Sequence, residues 1–182
     1  PFIRFLPALE VADGEIITGD SHEFRADQPY QIAVLTDFCN ECGNCTTFCP
    51  TAGEPYRDKP RLYLDRADFE SQSDNAFWME RDGELERIEA RFAGETHRLE
   101  IDYEIHYFSP SFSARLDRRN FSLIDTSVGR TAVEGQDLNL EACAKMYVVL
   151  QGVSRSMPQV PWALAVGADS AGTRIEPPGD EE

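Results

Sequence analysis

Four of the chain's five cysteines fall within eleven residues, in the run Cys39-Asn-Glu-Cys42-Gly-Asn-Cys45-Thr-Thr-Phe-Cys49-Pro50. Thiols spaced C-x2-C-x2-C-x3-C-P suit an iron–sulfur cubane. The two-residue gaps let a tight loop wrap one corner of the cube and bring three thiolates to three of its irons. Gly43 gives that loop backbone angles closed to other residues and lets amide N–H groups approach the sulfides. The three-residue gap begins a helical turn that carries Cys49 away from the first three thiols, and Pro50 biases Cys49 toward an extended backbone. The chemistry served is a one-electron change of charge with little rearrangement.

Competing uses of the thiols fit less well. A four-thiolate zinc site takes two well-separated C-x2-C knuckles, and a disulfide framework spreads its cysteines between elements. In two-cluster ferredoxins the fourth cysteine of such a run serves the other cluster. The cluster on Cys39, Cys42 and Cys45 then needs one more ligand, and Cys49 needs three partners, with only Cys143 left in the chain. The sequence therefore reads as half of a dicluster module, and its opening at Pro1 without an initiator Met is expected of a piece whose other run lies upstream. Cys143, on the apolar face of an expected helix, reads as a small buried hydrophobe and stays outside the site.

Other groups near the run are secondary. Phe38 and Phe48 flank the ligands, where they would shield the cluster or simply pack in the core. Asp37, Glu41 and Glu54 add negative charge, which leads us to expect a low-potential cluster. Asp58-Lys59 reads as turn-stabilising. His22, His97 and His106 are scattered, without an acid or nucleophile at a telling spacing, and read as structural or solvated. The chain carries no Gly-rich nucleotide fingerprint, P-loop or G-x-S-x-G. Nothing in it alone would bind a flavin or nicotinamide, and no catalytic residue is assigned.

The elements that must position the thiols are mostly strands. Residues 5–35 read as short strands and turns, with turn signals at Asp13-Gly14 and Gly19-Asp20, and Gln31–Leu35 leads as a strand into the cysteines. A turn-rich loop from Thr51 to Pro60 precedes strand-like Arg61–Leu64. Over 77–104, Ile88, Ala90 and Phe92, then Leu99, Ile101 and Tyr103, alternate with charged residues around turns at Asp82-Gly83 and Ala93-Gly94. This period of two predicts a three-stranded antiparallel meander. Over 138–153 the period switches: Leu140, Cys143, Met146, Tyr147, Leu150 and Val153 form one face of an amphipathic helix. Asp137 or Asn139 can cap its start, Gly152 sits near its end, and Pro158 and Pro161 forbid continuation.

Composition sets outer bounds. The chain has 182 residues, 41% hydrophobic, with 33 acids against 17 bases and a net charge of −16. That balance argues against a nucleic-acid partner, which needs clustered Lys and Arg. It suits a solvated surface or a basic docking partner. No stretch approaches the roughly 20 apolar residues of a membrane span, and Pro1–Val11 is too short and interrupted for a signal peptide. Crowded thiols persist best in a reducing compartment, so the cytoplasm is the expected location.

The wording Asp37-Phe-Cys-Asn-Glu-Cys-Gly-Asn-Cys-Thr-Thr-Phe-Cys-Pro50, followed by Gly53, Pro55-Tyr56, Asp58-Lys59-Pro60 and Asn75, resembles the C-terminal region of the selenate reductase iron–sulfur subunits. Those are bacterial flavin-containing proteins similar to the glutamate synthase small chain and dihydropyrimidine dehydrogenase. The resemblance covers residues 37–75. It implies a dicluster ferredoxin segment, with Cys39, Cys42, Cys45 and Cys49 as 4Fe-4S ligands. It also implies FAD and NAD(P) domains and a second cysteine run upstream, outside this chain, with those flavoprotein domains or a redox partner subunit as partners. This chain lacks both, so no complete active site is assigned to it.

The fold expected is α+β: a ferredoxin-type 4Fe-4S lobe embedded in β-rich polypeptide (1–75), then the antiparallel meander and one amphipathic helix (76–166), then an acidic disordered tail (167–182). The function expected is a single-electron relay within a larger flavin-linked oxidoreductase. The alternatives are an iron–sulfur-braced interaction module without redox turnover and, if no upstream cysteine exists, chemistry at an open iron.

Overall fold

The N-terminal segment makes a long antiparallel hairpin of β1 (Phe2–Ala12) and β2 (Glu15–Ala26). Asp13 and Gly14 turn it with φ of 53° and 76°, as two-residue hairpin loops of the left-handed kind require. In this computed structural model residues 2–27, 32–48, 53–83, 85–158 and 163–164 are described. Short strands were expected here, yet both run through their punctuation. Pro7 pairs with Ser21 and Leu9 with Thr18, so Gly19 and Asp20 together oppose Ala8. The expected turn at Gly19-Asp20 is instead a β-bulge.

After the hairpin come β3 (Val34–Leu35), α1 (Asn44–Phe48), α2 (Pro55–Asp58), β4 (Arg61–Tyr63) and α3 (Arg66–Glu70). Next are β5 (Ala76–Asp82), β6 (Leu85–Phe92), β7 (Glu95–Ile101), β8 (Glu104–Phe108), β9 (Phe112–Asp117) and β10 (Leu123–Val128), followed by β11 (Asp137–Leu138), α4 (Glu141–Ser156) and β12 (Ala163–Leu164). β1 lies between β2 and β11, in a three-stranded sheet. β11 reaches only Leu9 and Glu10, so Pro7, which has no N–H to give a ladder, stands where β1 has a single neighbour. The second sheet runs β10-β9-β8-β7-β6-β5-β4-β3, with β12 alongside β5.

Residues 77–104 form the antiparallel meander that alternation predicts, as β5, β6 and β7. Ile88, Ala90, Leu99 and Ile101 are buried, while the outer face carries a charge ladder. Glu80, Arg87 and Glu100 lie in register across three strands, and Arg87 bonds both acids. Opposite charges directly across strands support such a face. Tyr103, expected on the core face, is 88% exposed. β7 stops at Ile101, and the Asp102 side chain accepts from the Glu104 N–H at 2.8 Å, which makes a turn of this stretch. The meander then continues through β8, β9 and β10, with Ile105, Tyr107, Phe112, Ala114 and Leu116 buried.

α4 buries Cys143, Met146, Tyr147, Leu150 and Val153 and packs on β6 and β7. The Asn139 side chain accepts from the Glu141 N–H at 3.1 Å, whereas Asp137 belongs to β11. The helix runs past Gly152 to Ser156 and stops just before Pro158. Ser154 and Arg81 both bond the Glu86 carboxylate, at 2.8 and 2.9 Å, which ties the helix end to the meander. The acidic tail expected at 167–182 lies outside the described residues.

One histidine belongs to the core. His97 Nδ1 and the Tyr107 hydroxyl are 2.6 Å apart, and burial lowers the His97 pKa, against a smaller opposing effect of Glu95. The unfolded chain therefore takes up this proton first as pH falls. The stability that neutral His97 contributes is full above about pH 6.5. It declines as pH drops through that value and levels off below the lowered folded pKa. His97→Gln should flatten this part of the profile; urea midpoints of both proteins at several pH values between roughly 7.5 and 5 check it.

Candidate metal centre

β3 and β4 are parallel neighbours, Val34 beside Arg61 and Leu35 beside Leu62, and β4 is parallel to β5. Parallel neighbours cannot be joined by a tight turn and need a crossover. The cysteine segment is the crossover between β3 and β4. It leaves the carboxyl end of β3, where open parallel sheets present their ligand sites.

Several bonds fix the loop to that sheet edge. The Thr36 hydroxyl donates to the Leu62 carbonyl at 3.0 Å, and the Asp37 carboxylate accepts from the Leu64 N–H at 3.2 Å. A 3-10 turn at Thr36–Phe38 then delivers Cys39, whose N–H donates to the Thr36 carbonyl at 3.0 Å. The Cys42 N–H donates to the Asn40 side chain at 3.3 Å. Gly43 has φ 75°, the left-handed geometry expected of it, and Glu41 shares it with φ 52°. Cys45 lies in α1, whose first turn is closed by the Thr46 N–H on the Gly43 carbonyl at 3.0 Å. Arg61, at the start of β4, reaches back to the Glu41 carboxylate at 3.0 Å.

Cys39 is half-buried, Cys42 and Cys45 are exposed, and none is in a disulfide. Cys49 lies outside the described residues. The loop thus brings three predicted ligands into one short segment, but among the described residues no three His, Cys, Asp or Glu side chains converge to hold a metal ion. As a donor set the three thiols suit a thiophilic cluster: all are soft sulfur donors, two are open to solvent, and no Cβ clash would arise at Gly43.

Cys143 is fully buried on α4, beside Tyr107 of β8. Burial raises its thiol pKa, and strands β4 to β7 stand between β3 and β8. Phe38 and Phe48, expected to shield a cluster or pack in the core, are 81% and 83% exposed. The crossover carries them past the end of the sheet, beyond the core side chains.

The second half of the crossover is organised by the residues that carry the family resemblance. The Asp58 carboxylate accepts from the Glu54 N–H at 2.6 Å, so Asp58 serves the turn. Pro55 opens α2. At Gly53, with φ 131°, a Cβ would meet Asp58 Oδ2 at 2.6 Å. Asn75, also left-handed, donates to the carbonyls of Arg57 and Lys59 at 2.6 and 2.8 Å, fastening the returning loop to the start of β5. Sequence reasoning passed over Arg61. The sequence narrows the choice only to a group: residues 36–56 hold no Lys or Arg, and Arg57, Lys59 and Arg61 are the next cations.

No family model and no solved structure matches the chain. Two Escherichia coli proteins match part of it. "Putative oxidoreductase YgfK" of strain O157:H7 is 37% identical over 75 residues, 41% of this chain and 7% of that protein. The protein of the same name in strain K12 is 37% identical over 73 residues, 40% of this chain and again 7% of its own length. The chain therefore spans about 7% of the length of the relatives it matches.

Proposed function

We propose that this chain holds a 4Fe-4S cluster through Cys39, Cys42, Cys45 and Cys49 and relays single electrons within a larger flavin-linked oxidoreductase. The observation that carries the reading is the crossover loop, which presents three uncrosslinked thiols at three-residue steps on a sheet-anchored turn. When bound, a cubane supplies a one-electron carrier whose potential depends on charge, hydrogen bonds and exposure. The chain's own residues supply the frame. Gly43 and Glu41 bend the backbone between the thiols with left-handed φ, and Thr36 and Asp37 hold the loop to Leu62 and Leu64 at the sheet edge. The partial match to an oxidoreductase supports a redox role.

The flavin and nicotinamide groups that the family resemblance implies belong to other domains in this proposal. Phe38 and Phe48, 81% and 83% exposed on either side of the described thiols, are apolar side chains that a docked flavoprotein domain would cover. Dithionite should bleach the absorbance near 400 nm (roughly where thiolate–iron charge transfer falls), and reoxidation should restore it, with a paramagnetic signal in the reduced state. A cluster that binds but cannot be cycled would instead favour the bracing role.

A further inference from the structure

Among the described residues, the loop 36–48 makes one ion pair, between Glu41 and Arg61. Its placement is unusual. Glu41 sits between two predicted ligands, Cys39 and Cys42, and holds a left-handed backbone, φ 52°, that is unfavourable for a non-glycine residue. Arg61 belongs to the sheet rather than the loop. Its backbone N–H donates to the Asn75 carbonyl at 3.3 Å, and its side chain is only 20% exposed. The guanidinium lies 5.4 Å from the Tyr63 ring centroid, with Gln72 at 3.5 Å on another nitrogen. A charge held this way is screened less by salt than one on a free surface side chain.

We infer that Arg61 is a positioning and charge-compensating residue for the cysteine loop: it cancels the Glu41 carboxylate between two thiolate ligands and so raises the potential at which the bound cluster accepts an electron. The inference rests on the cluster reading above. Reduction adds one negative charge to a site that already carries thiolate charge, so the net charge of nearby groups shifts the equilibrium. Removing Arg61 leaves Glu41 uncompensated and disfavours reduction. Removing the Glu41 charge leaves Arg61 unopposed and favours it. A loop merely loosened by either change has no reason to move the potential in opposite directions.

The test is a mediator-controlled redox titration, followed by the paramagnetic signal of the reduced state, on wild type, Arg61→Gln, Glu41→Gln and the double variant. Iron and acid-labile sulfide are measured on each. The reduction equilibrium constant should fall about tenfold in Arg61→Gln, which for one electron is about 59 mV. It should rise by a similar factor in Glu41→Gln and return close to wild type in the double variant. Arg61→Lys, which keeps the charge, should stay near wild type. Glu41→Gly suits the left-handed backbone and should rise as Glu41→Gln does, so it serves if another variant loses iron. Shifts of the same sign in the two single variants, or none, overturn the inference while leaving the cluster in place. Wild-type protein without iron and sulfide would remove the reading beneath it instead.

Discussion

Cys42→Ser should lose its iron. An alkoxide is a far poorer soft-metal ligand than a thiolate, and serine stays protonated at neutral pH where a bound cysteine does not. Outer hydrogen-bond partners of metal ligands cost about 10- to 100-fold in affinity when removed, so loss of a direct ligand should cost at least about 100-fold. Cys39→Ser and Cys45→Ser should behave alike, because each removes one corner of the same donor set, and Cys49→Ser should lower the iron content by removing the ligand that such a run offers to a second cluster. Cys143→Ala is the control. Its sulfur is buried on α4 beside Tyr107, so the variant should keep its iron and lose only the stability of a small core void, about 1 kcal/mol. Iron per chain after anaerobic purification checks all five. Iron retained by the serine variants, or lost by Cys143→Ala, would contradict the ligand assignment.

Phe121→Ala should be the most damaging core change of comparable size. Phe121 lies in the turn between β9 and β10 with φ 65° and no exposure. Its ring meets Tyr147 of α4 at 4.9 Å and Phe2 of β1 at 5.6 Å, both edge-on. Arg4 approaches the same ring at 5.4 Å. One side chain therefore joins the N-terminal hairpin, the end of the meander and the helix, and its burial offsets a backbone conformation unfavourable for a bulky residue. Truncating a buried Phe costs about 3–5 kcal/mol. With a urea slope of about 2 kcal/mol per molar, the midpoint should fall by about 2 M. Phe5→Ala, at a residue 64% exposed, should move it by less than about 0.3 M. Equal effects at the two positions would show that the triple junction is not what holds these segments together.

What the sequence disclosed, and what it hid, follows from which signals are local. The meander was legible because charged residues alternate strictly with Ile88, Ala90, Leu99 and Ile101, and because Asp82-Gly83 and Ala93-Gly94 mark its turns. The helix face was legible for the same kind of reason, with every residue from Leu140 to Val153 on the predicted stripe buried. β1 and β2 were harder. Proline and a Gly-Asp pair usually interrupt strands, but here Gly19-Asp20 forms a bulge and Pro7 lies where β1 has only one neighbour, which depends on pairing that local sequence does not contain. Tyr103 alternates correctly yet falls in a turn, because the Asp102 side chain captures the next backbone N–H.

The candidate thiols stand out in the sequence by their spacing; the frame that carries them does not. Nothing in the local sequence says that β3 and β4 run parallel, so the role of the cysteine segment as a crossover could not be seen. For the same reason Arg61 went unnoticed: it is twenty positions from Glu41 and meets it only because the sheet returns the chain there. The exposure of Phe38 and Phe48 also follows from the crossover's position at the end of the sheet rather than from their apolar character.

Metal and acid-labile sulfide analysis of the anaerobically purified chain tests the proposed thiolate-bound cluster most directly. Iron and inorganic sulfide should be present in about a 1:1 ratio, and both should disappear together in Cys42→Ser. Zinc in place of iron, or protein with neither metal nor labile sulfide, would contradict it.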